Sequence, residues 1–271
     1  MNIDYEKYKE YIPDVRFMLL PAGALRSDLP YQRNCSKYFV KRLVKEFDKN
    51  CLRVCRVSER EDPNTGQLSY YVFDGQHSVE AVKAISGSEE CPIYCMIYSG
   101  LSYSDEARLF YLQKRLERAL VNYDILNAKV ESGDTESIEI LKVVGAYGFE
   151  LGSKVADNVI SATKNIEKIY YGMGPEILGR VLMLISDTWC GRKEYLKGSF
   201  ITALAKIVNI YADELDDERF MDKFNTVSMR ELLLEAKSFS DRGTNWARAI
   251  VSIYNKNNRR KLPVEKLLDE S

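Results

Sequence analysis

Apolar positions follow two different periods along the chain, and the change falls near residue 120. Before it, short runs at strand spacing interleave with helical stripes. Residues 17–20 read as a strand stopped by Pro21. Ser36 is placed to cap a helix over 37–47, with Phe39, Leu43, Val44 and Phe47 as its apolar stripe. Residues 52–58 alternate Leu or Val with Arg or Cys and predict a strand. The turn sequence at 62–66 predicts that 68–73 returns as its hairpin partner. A helix is expected from Ser78, with Val79, Val82 and Ile85 on one side. A strand at 92–98 follows, then a helix capped by Ser104 and running to about Leu120. After residue 122 strand signals stop. Helical patterns are expected at 123–131, 135–146, 156–170, 175–187, 194–212, 217–225, 228–238 and 244–256. The class is therefore α+β: a mixed α/β lobe over residues 1–120, then an all-α lobe over residues 121–271.

The chemistry concentrates in residues 70–81, Tyr-Tyr-Val-Phe-Asp-Gly-Gln-His-Ser-Val-Glu-Ala, which read as a strand turning straight into a helix. A helix N-terminus offers N–H groups and a positive dipole end to a phosphate or carboxylate. Gly75 permits close approach of a ligand. His77, the single histidine, is a candidate to donate or accept a proton. Asp74 is placed to orient it or to meet a metal, and Gln76 to hydrogen-bond a ligand. The plainer reading has Asp74 capping the turn and His77 bonded to backbone.

Net charge is -1 over 271 residues, so any attraction to nucleic acid must be local. No apolar run approaches membrane-spanning length, and the first residues are too charged for a signal peptide, which predicts a cytoplasmic protein without membrane contact. Of six cysteines, Cys51/Cys55 and Cys91/Cys95 form C-x3-C pairs. In strands, four residues advance roughly 13 Å. That is too far for two thiolates to share one zinc at about 2.3 Å. Reduced and mostly buried thiols are expected, with no intrinsic metal site.

The run DGQHSVEA at 74–81 resembles the DGQHR signature of the ParB/sulfiredoxin-like superfamily, closest to the ParB-like domains of phage and mobile-element proteins. Tyr31-Gln32-Arg33 before a helix, Val57-Ser58-Glu59-Arg60 ending a strand, and segments at 98–110, 131–134 and 253–256 stand in the order that resemblance implies. It implies a nucleoside triphosphate, carried with Mg²⁺, bound by Gln32, Arg33, Gly75, Gln76, His77 and Ser78. The sulfiredoxin thiol position is Gln76 here, which disfavours that chemistry. The arginine of DGQHR is Ser78.

DNA contacts are expected in the second lobe. Residues 137–147 and 157–170, joined by a glycine-containing turn, read as a helix-turn-helix or as an ordinary helix pair; the former offers Lys154, Asn158 and Lys164 to a groove. Arg259, Arg260 and Lys261, in a stretch that also holds Arg242 and Arg248, form a basic end suited to phosphates or to a helix C-terminus. The leading expectation is a ParB-like, DNA-associated protein of a phage or mobile element, with DNA, a second copy or a phage-encoded chain as partner. The rivals are a nucleotide hydrolase or nuclease using Asp74 and His77, and a scaffold that has lost the family's activity.

Overall fold

The computed structural model describes residues 6–27, 29–32, 34–62, 64–117, 119–239 and 245–268. The chain divides into two compact units, Met1–Arg118 and Ala119–Ser271.

In the first unit, five strands form one mixed sheet: β1 (Arg16–Pro21), β2 (Leu25–Arg26), β3 (Cys55–Glu61), β4 (Leu68–Asp74) and β5 (Pro92–Ser99), in the order β1-β5-β3-β4-β2. The β3–β4 hairpin is antiparallel. Its turn is held by Asp62 Oδ1, which accepts from the N–H groups of Asn64 and Thr65. β5 pairs parallel to β3. A parallel partner needs a crossover, and β4 with helix α2 (Gln76–Ser86) supplies it. The pleat sends Cys55, Val57, Val72, Ile93, Cys95 and Ile97 into a core shared with Val79 and Val82 of α2. Helix α1 (Lys37–Lys45) packs on α2, and α3 (Tyr103–Leu116) on β4.

In the first unit, two helix starts differ from the sequence expectation. Helix α2 begins at Gln76, not Ser78, because Gly75 takes the cap position at φ +111°. A side chain there would meet the Cys55 Sγ at 2.8 Å. His77 therefore stands in the first helical turn and not in a loop. Helix α3 is capped by Ser102, not Ser104, and ends at Leu116. The Ser102 hydroxyl accepts from Asp105 N–H, while the Asp105 carboxylate reaches back to the Ser102 N–H.

The cysteine expectation holds for Cys55 and Cys95, which are fully buried and paired in register across β3 and β5. Burial pushes their thiols up to about 12 and about 11. Cys51 is exposed in a short 3-10 turn, Cys91 is partly buried ahead of β5, and Cys190 is exposed.

The second unit contains α4 (Asn122–Glu131), α5 (Thr135–Ala146), α6 (Thr163–Met173), α7 (Pro175–Trp189), α8 (Gly198–Tyr211), α9 (Asp217–Phe224), α10 (Met229–Lys237) and α11 (Asn245–Asn255). The buried faces of α7 and α8 run through its core. Trp189 stacks on Tyr195 at 4.4 Å, meets Phe200, Phe220 and Phe224 edge-on, and donates its indole N–H to the Phe224 carbonyl.

The helix-turn-helix expected over 137–170 is replaced by different local structure. Between α5 and α6, β6 (Glu150–Leu151) and β7 (Val159–Ile160) make a two-stranded parallel bridge. Asn158 adopts φ +61° and donates its N–H to the Gly191 carbonyl; the β-branched pair after it stays extended, so the helix cannot start at 157. Lys154 and Asn158 are consequently off any helix. Lys164 lies on α6, while Asn165 turns inward to Gly198 and Thr202.

Candidate functional site

The strand-to-helix junction builds a cleft. The aromatic and β-branched run of β4 carries Phe73 into full burial and delivers Asp74 at the strand end. Gly75 then turns the chain, and its carbonyl accepts from the N–H groups of Ser78 and Val79. Gln32, Phe73, Asp74, Gly75, Gln76 and His77, with Phe110 and Lys114 of α3, line a space of about 60 Å³. Asp74 is paired with the Lys114 ammonium at 3.0 Å. Gln32 donates its side-chain N–H to the Val72 carbonyl at 2.8 Å; its Oε1 is buried with no partner among the described residues.

Of the residues singled out in the sequence, Gln32, Asp74, Gly75, Gln76 and His77 meet here. Ser78 does not line the cleft, and its N–H closes the first turn. Arg33 lies outside the described residues, as does Arg242. His77 Nε2 accepts from the Ser36 N–H at 3.1 Å, and the Phe39 ring meets the imidazole edge-on at 5.1 Å. That bond places the ring proton on Nδ1 when the imidazole is neutral. Lys114 was not visible as a site residue. Phe110 and Lys114 stand four apart on α3, so they share a face, but only the packing of that face on β4 brings the ammonium to Asp74.

A second arrangement holds the loop that carries Gln32. Glu106 is fully buried and takes both an Nε bond at 2.8 Å and an Nη2 bond from Arg60. The Arg60 guanidinium lies 3.9 Å over the Tyr71 ring. Tyr31 O–H donates to Glu106 Oε2 at 3.2 Å. Burial first, then the neighbouring Glu106 charge, holds the Tyr31 phenol well above its ordinary range. Asp105 is engaged in the α3 cap.

In the helical unit, Arg259, Arg260 and Lys261 are exposed on the segment after α11. Asn255 closes that segment: its Nδ2 donates to the Leu262 carbonyl and its Oδ1 accepts from the Leu262 N–H, both at 2.8 Å. Arg248 instead stacks on Phe239 at 4.5 Å. Among the described residues, no group of three or more His, Cys, Asp or Glu is arranged to hold a metal, and no helix is long and apolar enough to cross a membrane.

No curated protein matches the chain. Among solved structures, it is similar to the C-terminally truncated chromosome-partitioning protein ParB from Caulobacter crescentus complexed with CTP-gamma-S, at 11% identity and a TM-score of 0.33, covering 87% of this chain and 99% of that one. A family model described as a family of unknown function matches residues 27–265, and with that span the protein belongs to the DUF6551 family.

Proposed function

We propose that the first unit recognises a phosphate-bearing ligand, one phosphate of a nucleotide seating at the start of α2. The helical unit then brings the protein to DNA through its basic loop at 256–261. This is the work of a ParB-like, DNA-associated protein of a phage or mobile element, acting as a homodimer or with a phage-encoded chain. The observation that carries the reading is the cleft at Gly75. A glycine-capped helix start and the Lys114 ammonium attract an anion. The Gln32 acceptor without a donor suits a ligand hydroxyl or amino group.

The size of the cleft limits the ligand. A space of about 60 Å³ admits a phosphate group, whereas a pocket for a whole ligand holds roughly 300–1,000 Å³. The nucleoside and the remaining phosphates lie outside it. Asp74 is the one carboxylate among the lining residues and is paired with Lys114. This donor set does not fit a resident Mg²⁺, and the metal would arrive on the triphosphate.

A specific observation favours a second reading, a scaffold without turnover. His77 uses Nε2 to hold the Ser36 N–H at the start of α1, so a base at that nitrogen exists only once the α1 entry comes apart. Hydrolysis by Asp74 and His77 has no comparable support.

A thermal-shift screen with nucleoside triphosphates and Mg²⁺ separates the readings, since a ligand of the folded state raises its melting temperature. Binding predicts a rise that Lys114→Gln removes, each protein being read against its own ligand-free melting temperature because Lys114→Gln also leaves Asp74 without its ion-pair partner. Gly75→Ala is expected to cost about 2 kcal/mol by itself, from the positive φ and the clash with Cys55. No rise with any triphosphate leaves the scaffold reading.

A further inference from the structure

The helical unit carries a polar cavity that takes in the first residues of the basic loop, Lys256 to Asn258, but not its exposed tip at Arg259, Arg260 and Lys261. It has a volume of about 310 Å³ and is lined by Arg219, Asp222 and Lys223 of α9 with Tyr254, Lys256, Asn257 and Asn258 at the end of α11. Three cations face one carboxylate. Lys223 donates its ammonium to the Lys256 carbonyl, and Lys256 reaches Glu235 at 3.2 Å.

Asn258 makes this more than a basic patch. It is 7% exposed, and its Oδ1 accepts from Arg219 Nη1 at 2.7 Å and from the Arg260 N–H at 2.9 Å. Two donors on one atom fix that atom as the oxygen and leave the amide Nδ2 as a donor. Nδ2 is buried with no partner among the described residues. A buried donor without an acceptor is costly. Nature usually answers such a group with a protein acceptor, a water or a ligand.

We propose that this cavity is a phosphate-binding site, the oxyanion accepting from Asn258 Nδ2 and lying among Arg219, Lys223 and Lys256. Guanidinium and ammonium groups supply the charge-assisted bonds a phosphate prefers. The two sources that share this chemistry are a free phosphate-bearing small molecule and a backbone phosphate of DNA. The latter would continue onto Arg259, Arg260 and Lys261, four residues or fewer beyond Asn257 in the chain.

The test is calorimetric titration of the full chain with inorganic phosphate, in wild type and in a Lys114→Gln background that takes the α2 cleft out of play. Both are expected to bind. Asn258→Asp keeps the oxygen that Arg219 and Arg260 use and replaces the orphan donor with an acceptor. It should weaken phosphate by roughly tenfold or more. Lys223→Gln with Lys256→Gln should do the same, and decides the matter if Asn258→Asp fails to fold. A short DNA duplex that displaces phosphate from the Lys114→Gln protein makes the ligand a backbone phosphate; one that does not makes it a small molecule. Wild-type affinity in both cavity variants, or loss of all binding on Lys114→Gln alone, overturns the proposal, and the latter result leaves the α2 reading standing.

Discussion

At the residue scale, Cys55 and Cys95 show what burial does to a reactive group. Both sit opposite one another on neighbouring strands with no solvent contact, and burial raises both thiols. The sign of the linkage follows. From the ordinary thiol value of 9.0 up to about 11 for Cys95 and about 12 for Cys55, the native state holds protons that the unfolded state has lost. Stability from these groups is complete below pH 9 and is lost as pH rises through that window. Melting temperature should therefore fall across it. At neutral pH, alkylation read by mass spectrometry should mark Cys51 and Cys190, which are exposed, and leave Cys55 and Cys95 untouched until the protein is unfolded. Early modification of Cys55 in the native protein would contradict this account.

At the element scale, the loop bearing Gln32 is positioned by α3 and β4 together. Tyr31 reaches Glu106, its ring lies 5.4 Å from Tyr103 and 5.8 Å from Phe110, and Gln32 ties to Val72. Glu106→Ala removes the acceptor of both Arg60 and Tyr31. Breaking one side of a buried pair costs about 3–5 kcal/mol, and because the Arg60 side chain is partly open to water the expected loss is about 2–3 kcal/mol. Glu106→Gln, which keeps volume and one acceptor, should lose less. Urea unfolding of the two variants measures the difference; equal and negligible losses would mean the pair holds nothing in place. The elements themselves were largely legible, and the α+β class holds. Ser36 capped α1 as its sequence indicates, and the Asp62 turn closed the hairpin. Ser102 and Asp105 stand at capping-box spacing, so the true start of α3 is written in the sequence two residues ahead of Ser104. The β6–β7 bridge was hidden because its two-residue strands are too short for any period to register. What local pattern could not give is pairing between distant elements. Lys114 on Asp74, Glu106 on Arg60 and His77 on Ser36 each join residues 40 to 46 positions apart, and no spacing rule reaches that far.

At the scale of the whole molecule, the proposed contact with DNA rests on where charge is concentrated. A net charge of -1 gives no general attraction, so affinity must come from places where cations are concentrated. Lys154, Asn158 and Lys164 are spread over a turn and the first residues of α6 and do not form one helical face. Arg259, Arg260 and Lys261 are adjacent, exposed and carried on a segment whose two ends, Asn255 and Leu262, are joined by a pair of hydrogen bonds, so little order must be gained on binding. Each phosphate neutralised contributes about 0.9 to the slope of log affinity against log salt. Neutralising all three residues to Gln should therefore flatten that slope by about 2–3 for duplex DNA of any sequence. Lys154→Gln with Lys164→Gln should leave it where it was. Asn255→Ala offers the sharper discrimination: it opens the clasp but keeps every charge, so affinity should drop while the slope persists. A slope insensitive to the loop charges would overturn the proposed contact between this loop and DNA.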